Sequence, residues 1–256
     1  MVQDKFMLGN RQFNSRFILG SGKFSHDLIH AATQSGGVEI VTLAVRRANL
    51  RGNESILDYI PKHVTLLPNT SGARTAEEAL RVARLSRELG CGDLIKIEVI
   101  TDSKYLLPDN LETIRAIELL VRDAFVPLPY MYPDLPMARR MRDAGAAAIM
   151  PLGAPIGSNQ GLLTKEFIKI LVEEIDLPII VDAGIGRPSQ ACEAMELGCA
   201  AVMTNTAVAT ANDVTAMSLA FKLAIESGRA AFLAGMGRVL TDHAEASSPL
   251  TGFLGE

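Results

Sequence analysis

The stretch VTLLPNTSGARTAEEALRVARLSRELGCGDLIKIEV, residues 64–99, holds one full turn of the pattern that decides the fold. Residues 64–67 are a short apolar run with strand character. Residues 75–89 have helical period, open on a capping box from Thr75 to Glu78 and stop at Gly90. Residues 94–99 are a second apolar run, rich in β-branched side chains. Buried strand, helix, buried strand is the mark of a parallel sheet.

The alternation continues in both directions. Strands are expected at 17–20, 39–45, 64–67, 94–99, 125–128, 147–150, 179–182 and 201–204. Helices are expected at 25–34, 75–89, 110–123, 136–143, 165–174, 189–197 and 213–226, with 55–60 filling the second crossover. Eight such units in 256 residues fit a single-domain (β/α)₈ barrel spanning 1–256. An open doubly wound sheet is the alternative. Ahead of the first strand, Gly9-Asn10 between apolar residues reads as a hairpin over 6–13 that plugs the barrel bottom. After Ser227 the pattern weakens, and 247–256, with Gly, Pro and Ser, reads as a mobile C-terminal tail.

Composition narrows the function. The net charge is −4, from 25 Lys+Arg against 29 Asp+Glu, which argues against nucleic-acid binding by bulk charge. Arg46-Arg47 and Arg139-Arg140 are isolated pairs, not a basic tract. Cys91, Cys192 and Cys199 form no C-x-x-C pair, which points to reduced thiols and away from zinc. His26, His30, His63 and His243 lack metal-ligand spacing. No signal peptide and no uncharged run near ~20 residues is visible, so the expected setting is cytoplasmic.

A barrel of this type carries its site at the C-terminal ends of its strands. In the fourth strand, side-chain alternation sends Ile95, Ile97 and Val99 toward the helices and Lys96 and Glu98 into the interior. Two readings follow: a structural ion pair, or a Schiff-base lysine beside a carboxylate that moves protons. Burial lowers a lysine pKa and a carboxylate raises it, and the sequence leaves that balance open. Asp182 ends the seventh strand ahead of Ala183-Gly184-Ile185-Gly186, as an acid at the active face or as a cap. With the Gly184 turn, Thr204-Asn205-Thr206 after the eighth strand has the form of a phosphate grip. The Gly- and Pro-rich stretch 151–161 reads as a ligand-wrapping lid.

These motifs together resemble the bacterial thiazole synthases of thiamine biosynthesis over almost the whole chain. The resemblance rests on residues 17–23, 66–73, 95–99 with 105–109, 154–158, 181–186 and 205–208, in that order. It implies an enzyme that condenses 1-deoxy-D-xylulose 5-phosphate, dehydroglycine (2-iminoacetate) and sulfur carried as a thiocarboxylate on a ubiquitin-like sulfur-carrier protein. It implies Lys96 as the Schiff-base residue, Glu98 and Asp182 as acid and base, and Gly157, Ala183, Gly184, Asn205 and Thr206 as contacts to the sugar phosphate. It implies no metal or cofactor, and a homo-oligomer with a tetramer as one form. Residues 129–136 depart from the family pattern, being Pro-rich and carrying one Asp where an acidic pair is expected. Two other readings stay open: a class I aldolase acting through the same lysine, and a catalytically silent barrel that binds a carrier or metabolite.

Overall fold

The computed structural model describes residues 4–20, 25–44 and 56–245. Ser21-Gly22-Lys23, Val45, Arg46-Arg47, Ser55 and the expected tail at 247–256 lie outside them.

The chain opens with an antiparallel hairpin, β1 (Phe6–Leu8) and β2 (Arg11–Phe13), turning at Gly9 in the left-handed region with φ +57. Eight parallel strands follow: β3 (Phe17–Gly20), β4 (Ile40–Ala44), β5 (Thr65–Asn69), β6 (Leu94–Ile97), β7 (Val126–Met131), β8 (Met150–Pro151), β9 (Ile180–Val181) and β10 (Ala201–Thr204). Their ladder runs β8-β7-β6-β5-β4-β3-β10-β9. The two ends of that ladder meet. Ile149 pairs with Ile179, Ile180 N donates to Ile149 O at 2.9 Å, and Asp182 N donates to Pro151 O at 3.1 Å. An open doubly wound sheet would leave both edges bare, so the barrel reading holds.

Helices α1 (His26–Gln34), α2 (Ala76–Glu88), α3 (Asn110–Arg122), α4 (Leu135–Asp143), α5 (Lys165–Glu174), α6 (Pro188–Glu196), the short α7 (Thr206–Ala209) and α8 (Val214–Ala234) surround it, with a 3₁₀ turn at Ile56–Tyr59. Side-chain caps begin several of them. Ser25, Thr75, Asp109, Asp134 and Asp213 each accept from backbone N–H groups of the first turn. Only half of the Thr75–Glu78 capping box forms. Glu78 N donates to the Thr75 hydroxyl at 3.2 Å, while the Glu78 carboxylate accepts from Arg74 N at 2.8 Å.

Alternation along the strands separates two cores. Ile95, Ile97 and Val99 pack outward with Phe17, Ile117 and Phe221 between strands and helices. Ile18, Ile40, Leu67, Leu94, Leu128 and Ile180 fill the barrel interior. Phe6, Leu8 and Phe13 of the hairpin complete that inner core from below, which makes the hairpin the expected plug. Each such side chain contributes roughly 1.5–3 kcal/mol on burial. Beneath the plug, Arg16 donates to Ala200 O at 2.6 Å and pairs with Asp4 at 2.8 Å. Asp4 in turn pairs with Arg229 of α8 at 2.6 Å.

Two expectations need correction. The fifth strand does not stop at 128, because β7 continues through Pro129 and Tyr130 to Met131. Proline lacks an N–H but keeps its acceptor, and Pro127 O still takes the Ala147 N–H at 2.9 Å. The lone Asp134 of this stretch caps α4, accepting from Met137 N at 2.8 Å. The last helix does not end at 226, since α8 runs on to Ala234. Gly228 is the reason. A Cβ there would lie 2.3 Å from Cys192 O, so its bare backbone lets α8 press against α6 and the helix continues through it. No helix among the described residues is long and apolar enough to cross a membrane.

Candidate active site

The lower layers of the barrel interior are apolar and the top layer is not. Lys96, Glu98 and Asp182 face inward at the C-terminal ends of β6 and β9, at the floor of a cavity of about 620 Å³. Lys96 is 2% exposed and Asp182 4%. The Lys96 ammonium donates a hydrogen bond to Glu98 Oε1. It also lies 2.9 Å from Asp182 Oδ2, an ion pair whose angle falls short of a hydrogen bond.

Glu98 sits past the end of β6 and needs separate support. Thr70, fully buried after β5, supplies it: Glu98 N donates to the Thr70 hydroxyl at 2.8 Å, and that hydroxyl donates to Glu98 O at 2.9 Å. One side chain thus replaces a rung of the ladder where β5 and β6 diverge.

The charge balance left open by the sequence is decided here. Burial would lower the Lys96 pKa, but Asp182 and Glu98 together outweigh burial and hold it above the ordinary lysine range. Asp182 goes the other way. Its burial outweighs attraction to Lys96 and pushes it up to about 6. One ammonium between two carboxylates leaves a net negative site, in which Asp182 is the carboxylate that readily takes a proton. Transfer from Lys96 to Asp182 would expose a neutral amine, the form that attacks a carbonyl.

Gly157, Ala183, Gly184, Asn205 and Thr206 all line the same cavity as the lysine and the two acids. The structure therefore brings all eight candidate residues together. The loop 151–161 wraps the rim, and backbone hydrogen bonds tie its ends: Gly153 N to Ala183 O at 2.9 Å and Gly161 N to Gly184 O at 2.7 Å. Glycine at 184 is required by this packing. It has φ +97, and a Cβ would lie 2.4 Å from Ala154 N. Gly184→Ala is therefore expected to cost about 3 kcal/mol or more. Urea unfolding checks it, and a wild-type midpoint would show that the two loops do not pack against each other.

Sequence reasoning missed Asn69, at the end of β5, and Ser71 and Arg74, in the loop after it, all of which line the cavity. Residues 66–73 carry a resemblance motif but hold no charge that marks a role. It also missed Tyr130, hidden in a Pro-rich stretch that reads as loop. A second cavity, about 450 Å³, lies at the opposite end of the barrel near Asp4, Arg16 and Arg229. Those three charges are engaged with one another, and none is a nucleophile.

With this geometry in hand, comparisons locate the chain among known proteins. The model of the family described as thiazole biosynthesis protein ThiG matches residues 7–249. A thiazole synthase of Campylobacter jejuni (strain RM1221) is 68% identical over 254 residues, covering 99% of this chain and 98% of that protein. One from Clostridium beijerinckii is 66% identical over 254 residues, covering 99% of each. Among solved structures, a chain of the Amycolatopsis orientalis BexX/CysO complex is similar with a TM-score of 0.83 and 31% identity, covering 92% of this chain and 98% of its own.

Proposed function

The chain belongs to the ThiG family of thiazole biosynthesis proteins, the thiazole synthases of thiamine biosynthesis, and from that membership we propose that it builds the thiazole phosphate through a Schiff base on Lys96. Its substrates in this reading are 1-deoxy-D-xylulose 5-phosphate, dehydroglycine and the sulfur of a thiocarboxylated carrier protein. The observation that carries the reading is Lys96, buried between two carboxylates at the floor of a cavity large enough for a sugar phosphate.

The chemistry follows from that arrangement. Lys96 passes a proton to Asp182 and its neutral amine adds to the C2 ketone. Loss of water leaves an iminium, which acidifies the neighbouring C3–H. Glu98 or Asp182 removes that proton to give an enaminol. Protonation at C2 and loss of the C3 hydroxyl proton move the carbonyl to C3, with Lys96 still bonded to C2 as a secondary amine. The thiocarboxylate sulfur adds at C3. Acyl transfer then frees the carrier as its carboxylate and leaves sulfur on C3. The C3 thioketone tautomerises to the enethiol, whose sulfur adds to the imine carbon of dehydroglycine. The amine so formed replaces Lys96 at C2 by transimination. Loss of the C4 hydroxyl as water then gives the carboxylated thiazole phosphate. The glycine-bearing turns at 157 and 184, with Asn205 and Thr206, supply backbone N–H groups and small polar side chains around the phosphate end. A protein partner is in keeping with BexX, whose solved form is a complex with CysO.

The test is reductive trapping. Protein is mixed with 1-deoxy-D-xylulose 5-phosphate, or with fructose 1,6-bisphosphate as control, and borohydride is added. Peptide mass spectrometry is expected to find the deoxypentulose phosphate on Lys96 and nothing from the control. An adduct from the control alone would transfer the site to aldolase chemistry. No adduct from either sugar, on folded protein, would end the Schiff-base reading.

A further inference from the structure

Tyr130 stands directly behind the reacting lysine, and its hydroxyl is unused. The side chain is fully buried, packed with Leu152 and Ala183, and its ring centre lies 5.2 Å from Lys96 Nζ. The hydroxyl finds no hydrogen-bond partner among the described residues. Yet it lies within the field of Asp182 and Glu98, which together with burial hold its proton on well above the ordinary phenol range. A buried donor beside an ion cluster that itself has no partner is rare and calls for an explanation in function.

The reaction proposed above, on which this inference rests, supplies one. In the free protein the ammonium of Lys96 has three N–H groups for two carboxylates. The iminium has one. Whichever carboxylate is dropped becomes a buried anion without a donor, which is strongly unfavourable. Asp182 is the one held by charge alone, without an aligned hydrogen bond. We propose that Tyr130 is a positioning residue whose hydroxyl donates to Asp182 once Lys96 has become an imine, replacing the lost ammonium. The other charged groups around this point are Lys96 of β6 and Glu98 just past it, with Arg74 and Asp102 at the cavity mouth. None of them is a neutral donor that stays protonated over the working pH range.

Tyr130→Phe removes the oxygen and keeps the ring. Three readouts on the whole protein decide the matter. The melting temperature of the free variant is expected to equal or exceed that of the parent, because an unsatisfied hydroxyl has been removed. Borohydride trapping on Lys96 is expected to reach the parent level at saturating 1-deoxy-D-xylulose 5-phosphate. Deuterium uptake at C3 of that sugar, followed by NMR across pD, is expected to lose its acid limb about one unit higher than the parent. Uptake should be roughly tenfold slower below that limb. The direction follows from the lost donor, since a hydrogen bond to the ionised carboxylate lowers its pKa and removing it raises the pKa again. A pD profile that overlays the parent would overturn the proposal. So would a clear drop in melting temperature, which would mean that the hydroxyl already has a partner in the free protein. Absence of trapping in the parent itself would sink the Schiff-base reading and this inference with it, and trapping is scored separately for that reason.

Discussion

Lys96→Ala is expected to abolish the trapped adduct, lower thiazole formation by roughly 10⁴-fold or more, and destabilise the protein by about 3–5 kcal/mol. The two losses have different causes. Activity goes with the amine. Stability goes because Glu98 and Asp182 are left facing each other in a buried site with no cation between them. For a chain of this size the stability term corresponds to a melting temperature lower by about 10 °C. The deficit should also depend on pH. Without the lysine, two carboxylates share a buried site with no cation, so holding both ionised opposes folding at neutral pH. Protonation relieves this as pH falls, and the gap to the parent is expected to narrow between pH 8 and pH 5. Thermal melts at the two pH values check it. A gap independent of pH would mean that lost packing by the lysine stem, not uncompensated charge, sets the cost. Lys96→Arg separates the effects further. It keeps a cation for the carboxylates, so most of the stability should return while the adduct stays absent.

What could be read from the sequence here was whatever depends on local period. Alternation along residues 94–99 placed Lys96 and Glu98 on the inner face, and the structure has them there with Ile95, Ile97 and Val99 outward. The order of strands and helices implied a barrel, and Gly9-Asn10 implied the hairpin that fills its lower end. The meeting of Lys96 with Asp182 was not legible by such rules. It requires closure of the ring between β8 and β9, and only the family resemblance pointed to both residues as partners. Tyr130 was concealed by its neighbours. Pro129, just past the expected strand end, argues against continuation, yet β7 runs through it to Met131. Thr70 was invisible for a different reason: a threonine side chain that substitutes for a backbone rung leaves no periodic trace. The sign of the Lys96 shift was open because it is a difference between two large opposed effects, burial and attraction, and only distances decide such a difference.

Asp182→Asn should separate stability from catalysis in the opposite direction. Burial holds Asp182 up to about 6, against 3.8 for an ordinary aspartate. A carboxylate whose folded pKa is raised favours folding at low pH and loses that contribution as pH climbs from the unfolded value through the folded one. Above about 6 its charge therefore works against the fold by something on the order of 3 kcal/mol. Asparagine removes that burden. It also removes part of what holds the Lys96 ammonium, so the net gain is smaller. The variant is expected to be between equal and roughly 2 kcal/mol more stable than the parent at pH 8, with the difference fading below pH 4. Glu98 still holds the lysine, so borohydride should still trap an adduct on Lys96, though more slowly. Turnover should fall by about 10²–10⁴-fold, because the group that accepts protons near neutral pH has gone. Urea titrations at pH 8 and pH 4, beside a trapping time course, measure all three. If Asp182→Asn instead weakens the fold as much as Lys96→Ala, the lysine and its two acids are a structural ion cluster and the catalytic reading of Asp182 fails. If the variant is as stable as the parent or more so while turnover collapses, the protein is carrying a costly buried charge that the fold does not need, and proton transfer at the imine is the function that accounts for it.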